Sequence, residues 1–555
     1  MCKLCDEGKP QDHTNSDADS PGGSRRDFLK ATAAIGAGAA GLGLFTARPA
    51  AAHDDDRDDD HPRDGGRHGR RYIIRGGHVM SMDPKVGDFE RADVLVIGKK
   101  IARVGPNLHA GDAAEIDARG KIVMPGFVDT HHHQAWTAIR SSIPDSILID
   151  DKSGTPSAAQ NYFGNILLGF APRYRPEDVY ISELFGGLAQ LDNGVTTVHD
   201  VSQIHHSPEH SDAAIKALFD TGRRAAFGFF ESAGAGILGT NPGNQYPQDA
   251  TRIKKKWFSS SDQLVHMIMG GEVYLGDAST VASWTLGREL GLQIAAHILS
   301  PFGIRSILDR LAGLNGGFPD GKGGFIDIRD DNLFIHMTGM SDGAWNVVKD
   351  KGAQVSIAFP IEMNMRHGIP PIDKIQRLQM EPSLSSDVET NMTADFFTQM
   401  RSAMIMQRMM VNQEILNTGD FTNFYFEAVP GSAWPTVPAG TRPLLNVRDV
   451  LRYATINGAK HLRLDSKTGS LTPGKEADII ILDATHINVF PVNHVPGAVV
   501  QMMDRSNVET VIVAGKVRKW KGRLLDVNLR RLRRELENSR DFIFSEAGVP
   551  QNLFR

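Results

Sequence analysis

The stretch Gly126–His133 reads GFVDTHHH, a short apolar run that ends in three histidines. Seven further strand-like runs follow it, separated by longer helical patterns: GVTTVHD, RAAFGFFE, LVHMIMGG, QIAAHIL, NLFIHMTG, QVSIAFP and PSLSSDVE. Several of these runs are apolar throughout rather than alternating, as is typical of strands buried on both faces. Eight strands alternating with helices predict an α/β fold, a (β/α)8 TIM-type barrel over about residues 124–459.

Residues that can bind a metal stand where the predicted strands end. His131 and His133 are separated by one residue, so their side chains share one face of the strand. His297 ends QIAAH, His336 ends NLFIH and Asp387 ends PSLSSD. Catalytic groups of such barrels emerge where strands pass into loops, so one centre can collect all five residues. Imidazole and carboxylate together suit zinc or iron(II) and leave a position open for water, which predicts a divalent metal.

Strand-like runs with glycine turns also flank the predicted barrel on both sides. YIIRGGHVMSM and ADVLVIGKKIARVG precede it, and GSLTPGKEADIIILDA and VETVIVAGKVRKW follow it. They predict one small composite β-sandwich domain, built from residues 72–123 and 460–525. The remaining residues 526–555 are rich in Arg and Leu and predict a helical tail, either a surface helix or a contact with a partner.

The first 52 residues have the features of an export signal. Ser24-Arg25-Arg26-Asp27-Phe28-Leu29-Lys30 precedes an Ala/Gly-rich apolar run and a small-residue cleavage site, and resembles a twin-arginine signal. The expected partner is therefore the twin-arginine (Tat) export machinery, and the expected location is periplasmic or extracellular. The apolar run is too short for a stable membrane span. The two cysteines, Cys2 and Cys5, lie in this segment, so the metal ligands of the mature protein must be His and carboxylate.

Residues 53–71 are charged, with Gly, Pro and His, and predict a disordered linker; metal binding by its His and Asp residues is the alternative.

The composition of the whole chain limits the class of partner. The whole chain has 555 residues, 41% of them hydrophobic and 23% charged, with a formal net charge of -5. That balance is typical of a globular protein and gives no reason to expect nucleic-acid binding. A small-molecule substrate is expected.

Six motifs resemble the amidohydrolase superfamily, in its cytosine deaminase-like and chlorotriazine hydrolase-like branch: MPGFVDTHHH, GVTTVHD, AAHIL, FIHMTG, LSSDVET and TGSLTPGKEADIIILD. The resemblance runs from about Tyr72 to about Lys521. It implies metal ligation by His131, His133 and His297, with His336 near the metal-bound water and Asp387 bonding that water and taking its proton. Many relatives with two metals carry a lysine at the end of the fourth strand, but LVHMIMGG has none, so one metal is expected.

One departure from the family pattern concerns the substrate. Deaminases of this branch commonly carry a glutamate three residues after the fifth-strand histidine, and here that residue is Ser300. Glu362 and His367, after the seventh strand, are candidates to replace it, against the alternative of a surface carboxylate and a loop histidine. Trp136 is a candidate to shape an apolar pocket, although aromatic residues at such spacing are more often core.

The sequence therefore predicts an enzyme that hydrolyses a non-peptide C–N bond, of amide, urea or carbamate type, with metal-activated water. One alternative is deamination of an aminated purine, pyrimidine or triazine. An alternative from another class is a non-catalytic barrel that binds metal or ligand. The substrate, the identity of the metal and the choice between monomer and homo-oligomer are left open.

Overall fold

The computed structural model describes residues 70–233, 246–419 and 435–554. The expected export segment, residues 1–52, and all but the last two residues of the expected linker lie outside the described residues. Within the described ranges, no helix has the length and apolar character needed to cross a membrane.

Eight parallel strands form the barrel, and each corresponds to one of the runs predicted from the sequence. Their chain order is also their order in the sheet. They are β6 (Phe127–His132), β7 (Val195–Ser202), β8 (Arg224–Phe229), β9 (Val265–Gly270), β10 (Ile294–Leu299), β11 (Asn332–Thr338), β12 (Gln354–Ile357) and β13 (Ser383–Leu384). Just beyond β13 the backbone N–H of Asp387 donates to the carbonyl of His131 at 2.9 Å, which joins the last strand to the first. The predicted barrel is confirmed.

Helices connect the strands and cover the outside of the barrel. Those in the barrel region are α1 (Pro156–Ala159), α2 (Pro176–Asp192), α3 (Pro208–Thr221), α4 (Ala250–Trp257), α5 (Asp277–Glu289), α6 (Arg305–Leu311), α7 (Asp342–Asp350), α8 (Phe359–Asn364), α9 (Ile372–Arg377), α10 (Phe396–Leu416), α11 (Val447–Tyr453) and α12 (Ile456–His461). Every residue of β6, β7, β8, β10 and β11 is buried. Burial on both faces explains why these runs are apolar without alternation.

A nine-stranded mixed sheet is assembled from both ends of the described chain. Its strands are β1 (Arg71–Met80), β2 (Asp88–Ile97), β3 (Lys100–Gly105), β4 (Ala114–Asp117), β5 (Lys121–Pro125), β14 (Ile479–Asp483), β15 (Val508–Val513), β16 (Lys516–Trp520) and β17 (Arg523–Leu524). Antiparallel pairing of β5 with β14, with Val123 opposite Ile481, joins the two halves. A short helix, α13 (Val495–Gly497), lies between β14 and β15.

The last helix, α14 (Leu529–Glu546), packs on the barrel helix α2. Leu532 and Ile543 are buried, and the hydroxyl of Ser539 donates to a carboxylate oxygen of Asp178 at 2.6 Å. These contacts hold one face of α14 against the barrel helix α2.

Buried neutral histidines make the stability of the fold depend on pH. His205 donates from Nε2 to the carbonyl of Ser202 at 2.9 Å, and the Ser211 hydroxyl lies 3.0 Å from Nδ1. Burial lowers the pKa of His205 to about 3. An unfolded histidine has a pKa of about 6.5. At pH values between about 3 and about 6.5, only the unfolded chain therefore binds this proton, and the free energy of unfolding falls as the pH falls.

We expect His205→Gln to weaken this acid sensitivity by up to about 1.4 kcal/mol per pH unit, because one proton fewer is taken up on unfolding. Urea unfolding at pH 7.5 and pH 5 measures the slope. His109→Gln is the matched control, since His109 is exposed. Equal slopes for the two variants would contradict the assignment.

Candidate active site

The five strand-end residues predicted from the sequence meet at one buried point. Nε2 of His131 lies 3.0 Å from Nε2 of His133 and 3.1 Å from Nε2 of His297. Oδ1 of Asp387 lies 3.6 Å from Nε2 of His131, and Oδ2 of Asp387 lies 3.6 Å from Nε2 of His336. The five side chains come from β6 and the residue after it, β10, β11 and the segment after β13, so the barrel brings together residues more than 250 positions apart.

Hydrogen bonds on the far side of three rings fix which nitrogen faces the centre. Nδ1 of His133 lies 2.9 Å from the carbonyl of Val201, and Nδ1 of His297 contacts the carboxylate of Glu272. Carbonyl and carboxylate oxygens accept hydrogen bonds, so Nδ1 carries the proton in both rings and each Nε2 presents a lone pair. Nδ1 of His336 is held in the same way by Glu362, at 2.9 Å.

Several lone pairs therefore point at one buried spot next to a carboxylate. Such an arrangement is repulsive unless a cation lies between the atoms, and it is the donor set that zinc and similar ions take. Two groups of candidate ligands, His131 with His133 and His297, and His131 with His336 and Asp387, share His131. The residues present fit one divalent metal.

The backbone at two of these residues is unusual. His336 has φ of 72° and Asp387 has φ of 62°, a left-handed conformation that residues other than glycine seldom adopt. Strained backbone of this kind is retained where the surrounding structure holds it, commonly at functional sites. Here it turns both side chains toward the same centre.

A cavity opens above the cluster. Most of its wall is apolar, formed by Leu148, Tyr162, Leu167, Leu299, Phe302, Met365 and Val388. His367, Gln203 and Tyr274 add polar groups, and neither ring nitrogen of the buried His367 has a hydrogen-bond partner among the described residues. Within the described part of the chain, the lining contains no lysine or arginine. The described lining therefore offers a largely apolar wall and no basic side chain to pair with an anion.

The candidate substrate-binding residues lie in different places. His367 lines the cavity, with its ring 4.8 Å from that of His336. Glu362 lies behind His336 instead of in the cavity wall. Trp136 is buried beneath the wall and donates from its indole nitrogen to the hydroxyl of Tyr162 at 2.9 Å. Ser300 is exposed and lies outside the lining, because the chain turns outward into a short 3-10 helix directly after β10.

Sequence reasoning missed four polar residues of this site. Glu272 holds His297, and Glu231 contacts Tyr274, whose hydroxyl also meets Gln203. Three of the four, Gln203, Glu231 and Glu272, lie one or two residues beyond the ends of strands β7, β8 and β9. The rule that found His297, a polar residue at the carboxyl end of a barrel strand, would have found them too.

The barrel and its cluster define a metal-dependent hydrolase. The sequence matches the model of the amidohydrolase family over residues 122–518, and the chain belongs to that family. It is an enzyme that acts on C–N bonds other than peptide bonds, and its cofactor is a divalent metal. The non-catalytic alternative is thereby set aside.

Curated relatives match most of the chain. The 5'-deoxyadenosine deaminase of Methanosarcina mazei is 26% identical over 453 residues, which cover 80% of this chain and 92% of the relative. The 5-methylthioadenosine/S-adenosylhomocysteine deaminase of Acetivibrio thermocellus is 26% identical over 411 residues, which cover 72% and 82%.

Solved structures share the fold. An adenosine deaminase from Xanthomonas campestris with bound zinc has a TM-score of 0.66 and 19% identity, covering 86% of this chain and 99% of that one. An atrazine chlorohydrolase from Arthrobacter aurescens, complexed with zinc, has a TM-score of 0.67 and 19% identity, covering 85% and 100%. At this identity the likeness establishes the fold alone.

Proposed function

We propose that this enzyme hydrolyses an amide, urea or carbamate-type C–N bond of a small uncharged molecule with one zinc ion. The observation that carries the proposal is the convergence of three imidazoles and a carboxylate at the floor of a mostly apolar cavity. His131, His133, His297 and Asp387 would hold the ion. Nitrogen and oxygen ligands favour zinc, with iron(II) as the alternative. When bound, a divalent ion polarises water and lowers its pKa to about 7.

Asp387 is assigned the proton transfers. Burial raises the pKa of its carboxyl to about 7, and a bound divalent ion would lower it towards the ionised form that can accept a proton. It would take a proton from the attacking water and return it to the departing nitrogen. His336, whose Nδ1 is held by Glu362, keeps Nε2 free to orient that water, and His367 is placed to contact the substrate.

Deamination of an aminated heterocycle is the second candidate. It is favoured by the relatives, several of which are named as deaminases. Against it stands Ser300, which occupies the sequence position of the expected glutamate and is exposed.

The test is a substrate screen with metal-loaded protein. Amides, carbamates, ureas and aminated purines, pyrimidines and triazines are offered, and both ammonia and larger amines are measured. Release of a larger amine from an amide, urea or carbamate supports the leading proposal. Ammonia from aminated rings alone replaces it with deamination, and no C–N cleavage in the whole panel overturns both.

Glu272→Gln is expected to lower metal affinity about 10- to 100-fold, because the carboxylate that contacts Nδ1 of His297 orients the ring and increases its basicity. Competition with a chelator of known affinity measures the change. Glu289→Gln, on the outer helix α5, is the control. Unchanged affinity in the Glu272 variant would show that the carboxylate does not strengthen His297 as a ligand.

We also propose that residues 1–52 direct export by the twin-arginine route to the periplasm or beyond. The paired arginines before an apolar run support this. Replacing Arg25 and Arg26 with lysine would leave the protein in the cytoplasm, as fractionation of expressing cells would detect.

A further inference from the structure

A groove with a positively charged lining lies at the amino-terminal end of the barrel, the end opposite the metal cluster. It is bordered by the first residues of β9, the residues just before β10 and the loop after α12. Its lining contains four cations and, within the described part of the chain, no carboxylate; the cations are Lys254, Lys255, Arg463 and Lys467. We call this feature the basic groove.

The cations of the basic groove are only weakly neutralised. Neither Lys254 nor Lys255 forms an ion pair within the described residues. Lys467 donates to a backbone carbonyl, which carries no net charge. Arg463 lies 3.7 Å from Asp330, and both side chains are more than half exposed, so water screens this pair. The groove therefore keeps an excess of positive charge that an acidic group can neutralise.

An acidic run occurs in the same chain a short distance before the described residues begin. Residues 54–60 read DDDRDDD, which gives six negative charges and one positive charge. This run lies outside the described residues, which start at Arg70. Its charge is opposite to that of the basic groove.

The described chain starts close to the basic groove. The carbonyl of Arg70 accepts from the backbone N–H of Gly98 at 2.6 Å, and the next residue, Lys99, forms an ion pair with Asp262. The residue before Asp262 offers its carbonyl to Lys467 in the wall of the groove. A short series of contacts therefore leads from Arg70 to the groove.

The connecting chain is long enough for the acidic run to reach the groove. Thirteen residue steps separate Arg70 from Arg57, the middle of the run. A chain of that length spans up to about 45 Å when extended, and about 20 Å on average when flexible. Neither distance forces the chain to be taut over the short path described above.

We propose that the acidic run, residues 54–60, docks in the basic groove of the same chain. Its aspartates neutralise the lysines and the arginine of the groove. A tethered segment has an effective concentration of about a millimolar, which favours it over an acidic segment of another molecule. Docking holds the segment that follows the expected export signal at the end of the barrel opposite the substrate cavity.

Cross-linking between introduced cysteines tests the proposal in the full chain. The two native cysteines are replaced by serine, and Arg57→Cys is combined with Ser260→Cys in the wall of the groove. A short bismaleimide joins the two thiols, and mass spectrometry of the peptides measures the yield. We call this the groove pair.

The control pair combines Arg57→Cys with Asp112→Cys. Asp112 is exposed and binds Arg71 next to the start of the described chain, so an undocked segment would reach it at least as easily as it reaches the groove. We expect the groove pair to cross-link at least about fivefold more than the control pair, because docking raises the local concentration of one thiol near the other.

Reversal of charge in the groove should abolish this preference. Lys254→Glu with Lys255→Glu should lower the yield of the groove pair at least about fivefold, because the groove then repels the aspartates. Adding Asp55→Lys and Asp59→Lys to that variant should restore the yield. Both lysines lie at the surface, and circular dichroism checks that the variants fold.

Two further measurements separate docking from a general effect of charge. Lys322→Glu with Lys349→Glu changes the net charge equally at exposed sites outside the groove, and should leave the yield unchanged. Raising the salt from about 0.1 M to about 1 M shortens the Debye length from about 10 Å to about 3 Å, and should lower the yield of the groove pair alone.

Three results overturn the proposal. The first is an equal yield for the groove pair and the control pair. The second is a cross-link between two chains, which would place the acidic run of a second copy in the groove. The third is a groove cross-link that forms only when a divalent cation is added, which would assign the acidic run to metal binding.

Discussion

Asp387→Asn is expected to lower kcat/KM for C–N hydrolysis by at least about a thousandfold, within the range for loss of a general acid–base group. Asparagine has nearly the same shape and keeps the backbone hydrogen bonds that join residue 387 to His131 and His133. It cannot take a proton from water, and it supplies a neutral ligand where a carboxylate stood. The loss should therefore appear in activity while the fold is retained.

Steady-state rates, metal content and circular dichroism are measured together. Asp350→Asn, at the exposed end of α7, is the control and should leave all three unchanged. If the Asp387 variant holds its metal and hydrolyses its substrate at the original rate, the proton-transfer role is wrong. His131→Gln extends the test, because it should remove both metal and activity.

Arg224→Met is expected to destabilise the protein by about 3–5 kcal/mol, the usual cost of removing one partner from a buried ion pair. The Arg224 side chain is 1% exposed, and it binds Asp478 at 2.8 Å and Glu476 at 2.6 Å. Methionine fills similar volume but leaves two carboxylates with no guanidinium opposite them. Because a typical protein has a net stability of about 5–15 kcal/mol, this is a large fraction of the total.

Urea unfolding measures the loss, and two further variants interpret it. The triple variant Arg224→Met, Glu476→Gln, Asp478→Asn removes the unpaired charge and should recover most of the stability. Arg329→Met, which breaks an exposed pair with Asp327, should cost about 1 kcal/mol or less. Similar losses for Arg224→Met and Arg329→Met would mean that Arg224 does not tie the barrel to the sheet.

Arg224 also shows where sequence reasoning stops. It opens β8, in a run recognisable as a strand, but its partners lie 252 and 254 positions away. Hydrophobic pattern reports which residues face inward along one element. The hydrophobic pattern does not predict which distant carboxylate will pair with a buried arginine.

The amino-acid pattern by itself determined the barrel and its ligand cluster. Eight apolar runs predicted eight strands, and each of the five polar residues at their carboxyl ends was brought to one centre by the parallel geometry of the fold. Local periodicity and strand-end position are properties of the sequence alone, which is why His131 and Asp387 could be paired across 256 positions.

Only the tertiary structure decided how the cavity around that centre is made. Ser300 occupies the sequence position where a glutamate was expected, yet the turn after β10 carries it to the surface. Tyr274, which lies beyond the strand ends, joins the site through hydrogen bonds with Glu231 and Gln203 from other strand ends. The direction of a side chain beyond the end of a strand depends on loop conformation and packing. Those depend on contacts between distant segments, so they are settled only when the chain has folded.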